Sequence, residues 1–94
     1  MAQLNVKWTK QALNDLESAR EFVTSEHPQN LELTIENIQS SIGQIKIFPE
    51  IGRVGRVKGT RELVFSQMPF ILIYRKMKSS IEIISLLHQS RKWP

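Results

Sequence analysis

Halfway along this chain the spacing of its apolar residues changes, and that change leaves few folds open. Leu31, Ile35, Ile38, Ile42 and Ile45 recur in steps of 4, 3, 4 and 3, the period of one helix face. Phe48-Pro49 stops the pattern, because proline lacks the amide a helix interior needs and restricts the residue before it. Gly52, Gly55 and Gly59 then punctuate a stretch too glycine-rich for helix, and three β-like runs follow at Thr60–Phe65, Phe70–Arg75 and Ile81–Leu87. The middle run, FILIY, is continuously apolar, as expected of a central strand buried on both faces. Ser66–Pro69 and Lys76–Ser80 are of a length to serve as hairpin connections.

The first half supplies the other layer. Leu4, Val6 and Trp8 alternate with polar residues as a short half-buried strand does, and Thr9 is placed to cap a helix. Ala12, Leu13, Leu16, Ala19, Phe22 and Val23 then keep helical spacing, ending near Thr24 to His27. Pro28 suits the first turn of a second helix, whose isoleucine stripe reads as core and whose Gly43 reads as a point of close packing. The order strand, helix, helix, strand, strand, strand predicts an α+β fold: an antiparallel helical hairpin on one face of a mainly antiparallel sheet (βααβββ).

Ninety-four residues with 40% hydrophobic content make one domain, residues 1–94, with a single modest core. The absence of cysteine excludes disulfides, a thiol nucleophile and thiolate metal sites. MAQLNVKW lacks the apolar core of a secretory leader, and no run has the length to cross a bilayer, so a cytoplasmic protein without a membrane partner is expected. Charge is divided unevenly. Residues 1–45 hold three basic and six acidic residues, a net of −3, whereas residues 46–94 hold ten basic and three acidic residues, a net of +7. Such asymmetry points to an anionic or acidic partner on one face.

The candidate site residues lie in that basic half. Arg53, Arg56 and Lys58 stand on the glycine-flanked loop, where side chains and backbone amides can meet a phosphate or an acidic helix. His88 follows the last apolar run, where an imidazole could serve as a general acid or base. Glu62 either forms an acid–base pair with His88, if the strands place them on one face, or a surface ion pair; strand alternation points it and Arg61 to opposite faces. Arg75 either faces the concave side of the sheet or pairs with Glu82 across the hairpin. Arg91, Lys92 and Trp93 form a basic aromatic tail suited to binding a partner, with Trp93 either stacking on a base or anchoring the tail. Trp8 and Tyr74 read as core. His27 has no companion ligands, no Walker-type phosphate loop is present, and neither a metal nor a cofactor is expected.

Three segments together, VKWTKQALNDLES, FPEIGRVGRVKGTRELV and FILIYRKMKSSIEIISLLHQSRKWP, resemble the RelE/ParE superfamily of toxins from bacterial type II toxin–antitoxin modules, over essentially the whole length. The resemblance implies a growth-inhibiting toxin of the kind that stabilises plasmids or prophages, held in a hetero-oligomer by a cognate acidic antitoxin. ParE-like members poison DNA gyrase by binding; RelE-like members cleave mRNA on the ribosome. RNA cleavage by 2′-OH attack requires a group to position the hydroxyl, a cation at the phosphate and a proton donor for the leaving oxygen. RelE- and YoeB-like chains carry an Arg where Ile71 stands here and a terminal Tyr where this chain has Lys92-Trp93-Pro94; the Leu87-His88 ending is closer to ParE. The leading expectation is therefore gyrase inhibition. The alternative is a metal-independent, ribosome-dependent endoribonuclease using His88 with Arg61, Arg75 and the loop arginines. A basic adaptor without toxicity is the third reading.

Overall fold

The computed structural model describes residues 4–65 and 68–89. Strand β1 (Asn5–Trp8) leads into helix α1 (Lys10–Glu26), a 3₁₀ turn at Pro28–Asn30 and helix α2 (Leu31–Ile47). A second 3₁₀ turn at Pro49–Ile51 precedes strands β2 (Arg53–Val54), β3 (Arg61–Val64), β4 (Phe70–Lys76) and β5 (Ser80–His88). The strands form one sheet in the order β1-β5-β4-β3-β2. Its contacts are antiparallel except β1 with β5, which run parallel. The α+β architecture of the sequence reading is the observed one.

Local chemistry accounts for the element boundaries. Thr9 caps α1 by accepting the Ala12 amide at 3.0 Å, and its hydroxyl donates to the Ile84 carbonyl at 2.9 Å, so one side chain starts the helix and ties it to the sheet. Pro28 begins the 3₁₀ turn rather than α2 itself, which starts three residues later at Leu31. The loop after Pro49 holds two elements that its glycine content concealed, a 3₁₀ turn and the two-residue β2.

The main core lies between the helices and one sheet face. Ala12, Ala19, Val23, Ile38 and Ile45 pack there with Leu72, Tyr74, Ile81, Ile83 and Leu86. On the opposite face Ile71, Ile73 and Leu87 form a smaller buried cluster, so β4 is buried on both sides, as its unbroken apolar run implies. Two expectations for α2 need correction. Its stripe is not wholly core, because Ile35 is exposed while Ile38 and Ile45 are buried. Gly43 makes no close approach: a Cβ there would meet nothing within 4 Å.

An irregularity in the middle of β5 completes the frame. Ile73 pairs with Ser85 but Tyr74 pairs with Ile83, which leaves Ile84 as an extra residue, a β-bulge. β1 reaches only as far as Ile83. Beyond it, Asp15 of α1 substitutes for a neighbouring strand: its Oδ2 accepts the Leu86 amide at 3.0 Å and the Ser85 hydroxyl at 2.5 Å, while Gln11 donates to its Oδ1 at 2.8 Å. A buried N–H must find an acceptor, and here a helix carboxylate supplies it.

Candidate functional site

The glycine-flanked loop is built on a buried carboxylate. Glu62 stands opposite Ile73 in the β3/β4 ladder, hence on the sheet face away from the helices, and it is only 3% exposed. Its Oε1 accepts Arg53 Nη2 at 2.9 Å. Its Oε2 accepts the Arg56 backbone amide at 3.1 Å and lies 3.6 Å from Arg56 Nε. The expected surface ion pair is therefore a buried carboxylate shared by two half-exposed guanidiniums. Burial by itself would raise its pKa, but the Arg56 amide, the Arg53 hydrogen bond and the two positive charges together hold the carboxyl below its usual range.

A second buried polar group secures the front of the loop. The Tyr74 hydroxyl donates to the Pro49 carbonyl at 2.7 Å and accepts the Gly52 amide at 2.9 Å. A Cβ on Gly52 would come within 2.7 Å of that oxygen, so only glycine lets the backbone approach so closely. Arg61, pointing opposite to Glu62 as alternation requires, donates to the Gly52 carbonyl at 2.8 Å and the Glu50 carbonyl at 3.3 Å. Arg61 is thus a fastener of the loop. Lys58 is exposed at the turn between β2 and β3.

The remaining candidates separate from this cluster. Arg75 Nε donates to Glu82 Oε1 at 2.8 Å across the β4/β5 ladder, the cross-hairpin ion pair of the two arrangements considered. His88 stands opposite Phe70, whereas Arg61 stands opposite Tyr74. Four residue steps along β4 separate them, roughly 13 Å at the usual strand rise. His88 also lies on the helix side, edge-on to Phe22 and Phe70 with ring centroids 5.2 and 5.6 Å away, beside a small cavity bounded by Asp15, Ser18 and Leu86. Arg91, Lys92 and Trp93 lie outside the described residues. Among the described residues, no three His, Cys, Asp or Glu side chains come together as a metal-ligand set.

One feature the sequence reading did not anticipate is an open apolar groove of about 720 Å³ between the helices, lined by Leu13, Leu16, Leu31, Ile35, Ile38 and Ile42. Leu13 is 52% exposed on its rim. Among the described residues, no helix is long and apolar enough to cross a membrane.

Comparison with known proteins adds the family. The curated Sinorhizobium fredii (strain NBRC 101917 / NGR234) protein Y4kP, a candidate toxin by its name, is 30% identical over all 94 residues, which cover 97% of its own length. Among solved structures, a chromosomal ParDE TA system from P. aeruginosa matches with a TM-score of 0.68 at 23% identity, covering 92% of this chain and 96% of the other. The YoeB dimer from Staphylococcus aureus matches with a TM-score of 0.51 at 19% identity, over 89% of this chain and 94% of that one. These two likenesses establish the shared fold. The family model described as "ParE toxin of type II toxin-antitoxin system, parDE" matches residues 6–93, and with near full-length coverage the chain belongs to that ParE toxin family.

Proposed function

We propose that this toxin arrests growth by binding DNA gyrase in the cytoplasm, and that a cognate acidic antitoxin neutralises it within a hetero-oligomer. The observation that carries a binding mechanism is the separation of His88 from Arg53, Arg56, Arg61 and Arg75. A ribonuclease of the RelE type needs its proton donor and its phosphate-binding cation at one scissile bond, within hydrogen-bond reach of the reacting atoms. Here His88 faces the helices at one end of β4, while Arg53 and Arg56 surround Glu62 on the other face and Arg75 is engaged by Glu82. Ile71, where RelE-like chains carry Arg, is buried in an apolar cluster.

The groove between α1 and α2 suits the antitoxin. Its apolar walls fit the hydrophobic face of a helix that folds on docking, a recurring mode for disordered partners. The matched P. aeruginosa structure is itself a toxin–antitoxin system, which supports this pairing.

Purified toxin added to a supercoiling assay tests the target. Inhibition at near-stoichiometric toxin is expected; untouched gyrase at large excess defeats the gyrase reading. Primer extension on cellular mRNA after induction tests the alternative, since new 5′ ends within translated frames, lost in His88→Ala, would establish ribonuclease action.

A further inference from the structure

The segment from Ile47 to Val57 is apolar on the outside and fastened from within. Ile47, Phe48, Ile51, Val54 and Val57 are all exposed, Phe48 by 65% and Val54 by 78%. Neither the 3₁₀ turn nor β2 contributes a buried residue. A loop that adds so little to the core would ordinarily be left mobile. Instead the two buried polar groups described above, the Tyr74 hydroxyl and the Glu62 carboxylate, spend their hydrogen bonds on its backbone at Pro49, Gly52 and Arg56, and on the Arg53 side chain. Desolvating such groups is unfavourable unless they are satisfied, and the groups that satisfy them belong to the loop. The outcome is a stiff promontory with mainly aliphatic side chains and Phe48 outward, and cationic side chains around them.

We infer that this promontory is the surface by which the toxin grips its protein target, and that the target offers an apolar depression ringed by carboxylates. The inference rests on the binding mechanism proposed above and adds the location and chemistry of the contact. Rigidity favours it, because a preordered contact loses little conformational freedom on association. Charge favours an acidic partner: Arg53 and Arg56 share one internal carboxylate and remain about half exposed, with Lys58 beside them. Four of the five exposed apolar residues, Ile47, Ile51, Val54 and Val57, are aliphatic and only Phe48 could stack on a base, a composition that favours protein over nucleic acid. The promontory shares no lining residue with the apolar groove between the helices, so target and antitoxin contacts can be altered separately.

Val54→Asp tests this directly. Val54 sits on an exposed edge strand of two residues, so the far-UV spectrum and thermal midpoint should stay those of wild type. The full-length variant and a control, Ser25→Asp on an exposed position of α1, are compared in three assays: growth arrest on induction, inhibition of purified gyrase, and binding to a short fluorescein-labelled DNA duplex. The expected result is a loss of roughly tenfold or more in gyrase inhibition by Val54→Asp, a matching loss of growth arrest, and no change in the control. Undiminished growth arrest by a folded Val54→Asp protein overturns the inference. So does a loss of arrest that tracks weakened duplex binding, which would make the surface a nucleic-acid contact. If wild-type toxin leaves gyrase untouched, the gyrase reading fails by itself; loss of arrest in Val54→Asp, with duplex binding unchanged, still supports the promontory as the contact with a different protein.

Discussion

Replacing Tyr74 with Phe removes a single oxygen from the centre of the molecule while leaving the packed ring in place. That oxygen makes two hydrogen bonds, donating to the Pro49 carbonyl at 2.7 Å and accepting the Gly52 amide at 2.9 Å, and Tyr74 has no solvent exposure. A typical hydrogen bond contributes about 1 kcal/mol net, and a buried group left without a partner costs about 1–3 kcal/mol more. Tyr74→Phe should therefore destabilise the fold by about 2–4 kcal/mol, and for a domain of this size lower the thermal midpoint by roughly 10–25 °C. Urea denaturation followed by circular dichroism gives the global value, and amide exchange gives the local one. Protection should fall first at Gly52. A global loss below about 0.5 kcal/mol with Gly52 still protected would refute the idea that this hydroxyl fastens the loop. Alkaline pH offers an independent check. Burial raises the Tyr74 pKa above 10.0, against the lowering influence of the Gly52 amide and the Arg61 charge. Its contribution is accordingly complete below pH 10.0 and is lost as pH rises through the higher folded-state value. Tyr74→Phe should remove that part of the alkaline decline.

The Glu62 carboxyl has the opposite sign. Its folded-state pKa lies below 4.5, so its contribution is present above pH 4.5 and disappears as pH falls through the folded value; Glu62→Gln should flatten that acid limb in a pH series of thermal melts. Asp15→Ala, which strands the Leu86 amide and the Ser85 hydroxyl, should cost about 2–3 kcal/mol by urea titration, whereas Asp15→Asn keeps an acceptor oxygen and should cost clearly less. Gly52→Ala would drive a Cβ against the Tyr74 ring and hydroxyl and should lower stability by about 1–3 kcal/mol, with the near-UV tyrosine signal changed. His88→Ala, remote from Arg53, Arg56, Arg61 and Arg75, should retain growth arrest in an induction assay, and complete loss of toxicity in a folded variant would speak for the ribonuclease mechanism.

Much of the architecture was legible because its signals are local. The stripe from Leu31 to Ile45, the Thr9 cap and the unbroken FILIY run each follow from the stereochemistry of a few neighbouring residues, and each lies in the element expected of it. The two-residue β2 was not legible, because only its pairing with β3 makes a strand of Arg53–Val54. At the candidate site, Arg53 and Arg56 stood out by charge, but the acid that organises them did not. Glu62 alternates with Thr60 and Val64 in a run that also fits a half-exposed strand, and nothing local reveals that Arg53 and Arg56 close over a buried carboxylate. The helix groove had a faint signal: Leu13 beside Ala12 widens the apolar face of α1 beyond what one sheet contact needs.

The order of residues was sufficient to establish the α+β class, the helical and extended segments, and a carboxyl-terminal half that carries the cations. Tertiary structure alone decided that β1 lies parallel to β5, that Asp15 closes the sheet where β1 ends, and that His88 stands at the opposite end of β4 from Arg61 and Arg75, with Arg53 and Arg56 gathered around Glu62 on the other face. The physical reason is range. Helical period, capping and strand alternation act over a few residues, whereas sheet register and the burial of one carboxylate depend on segments far apart in the chain, which only the folded molecule brings into contact.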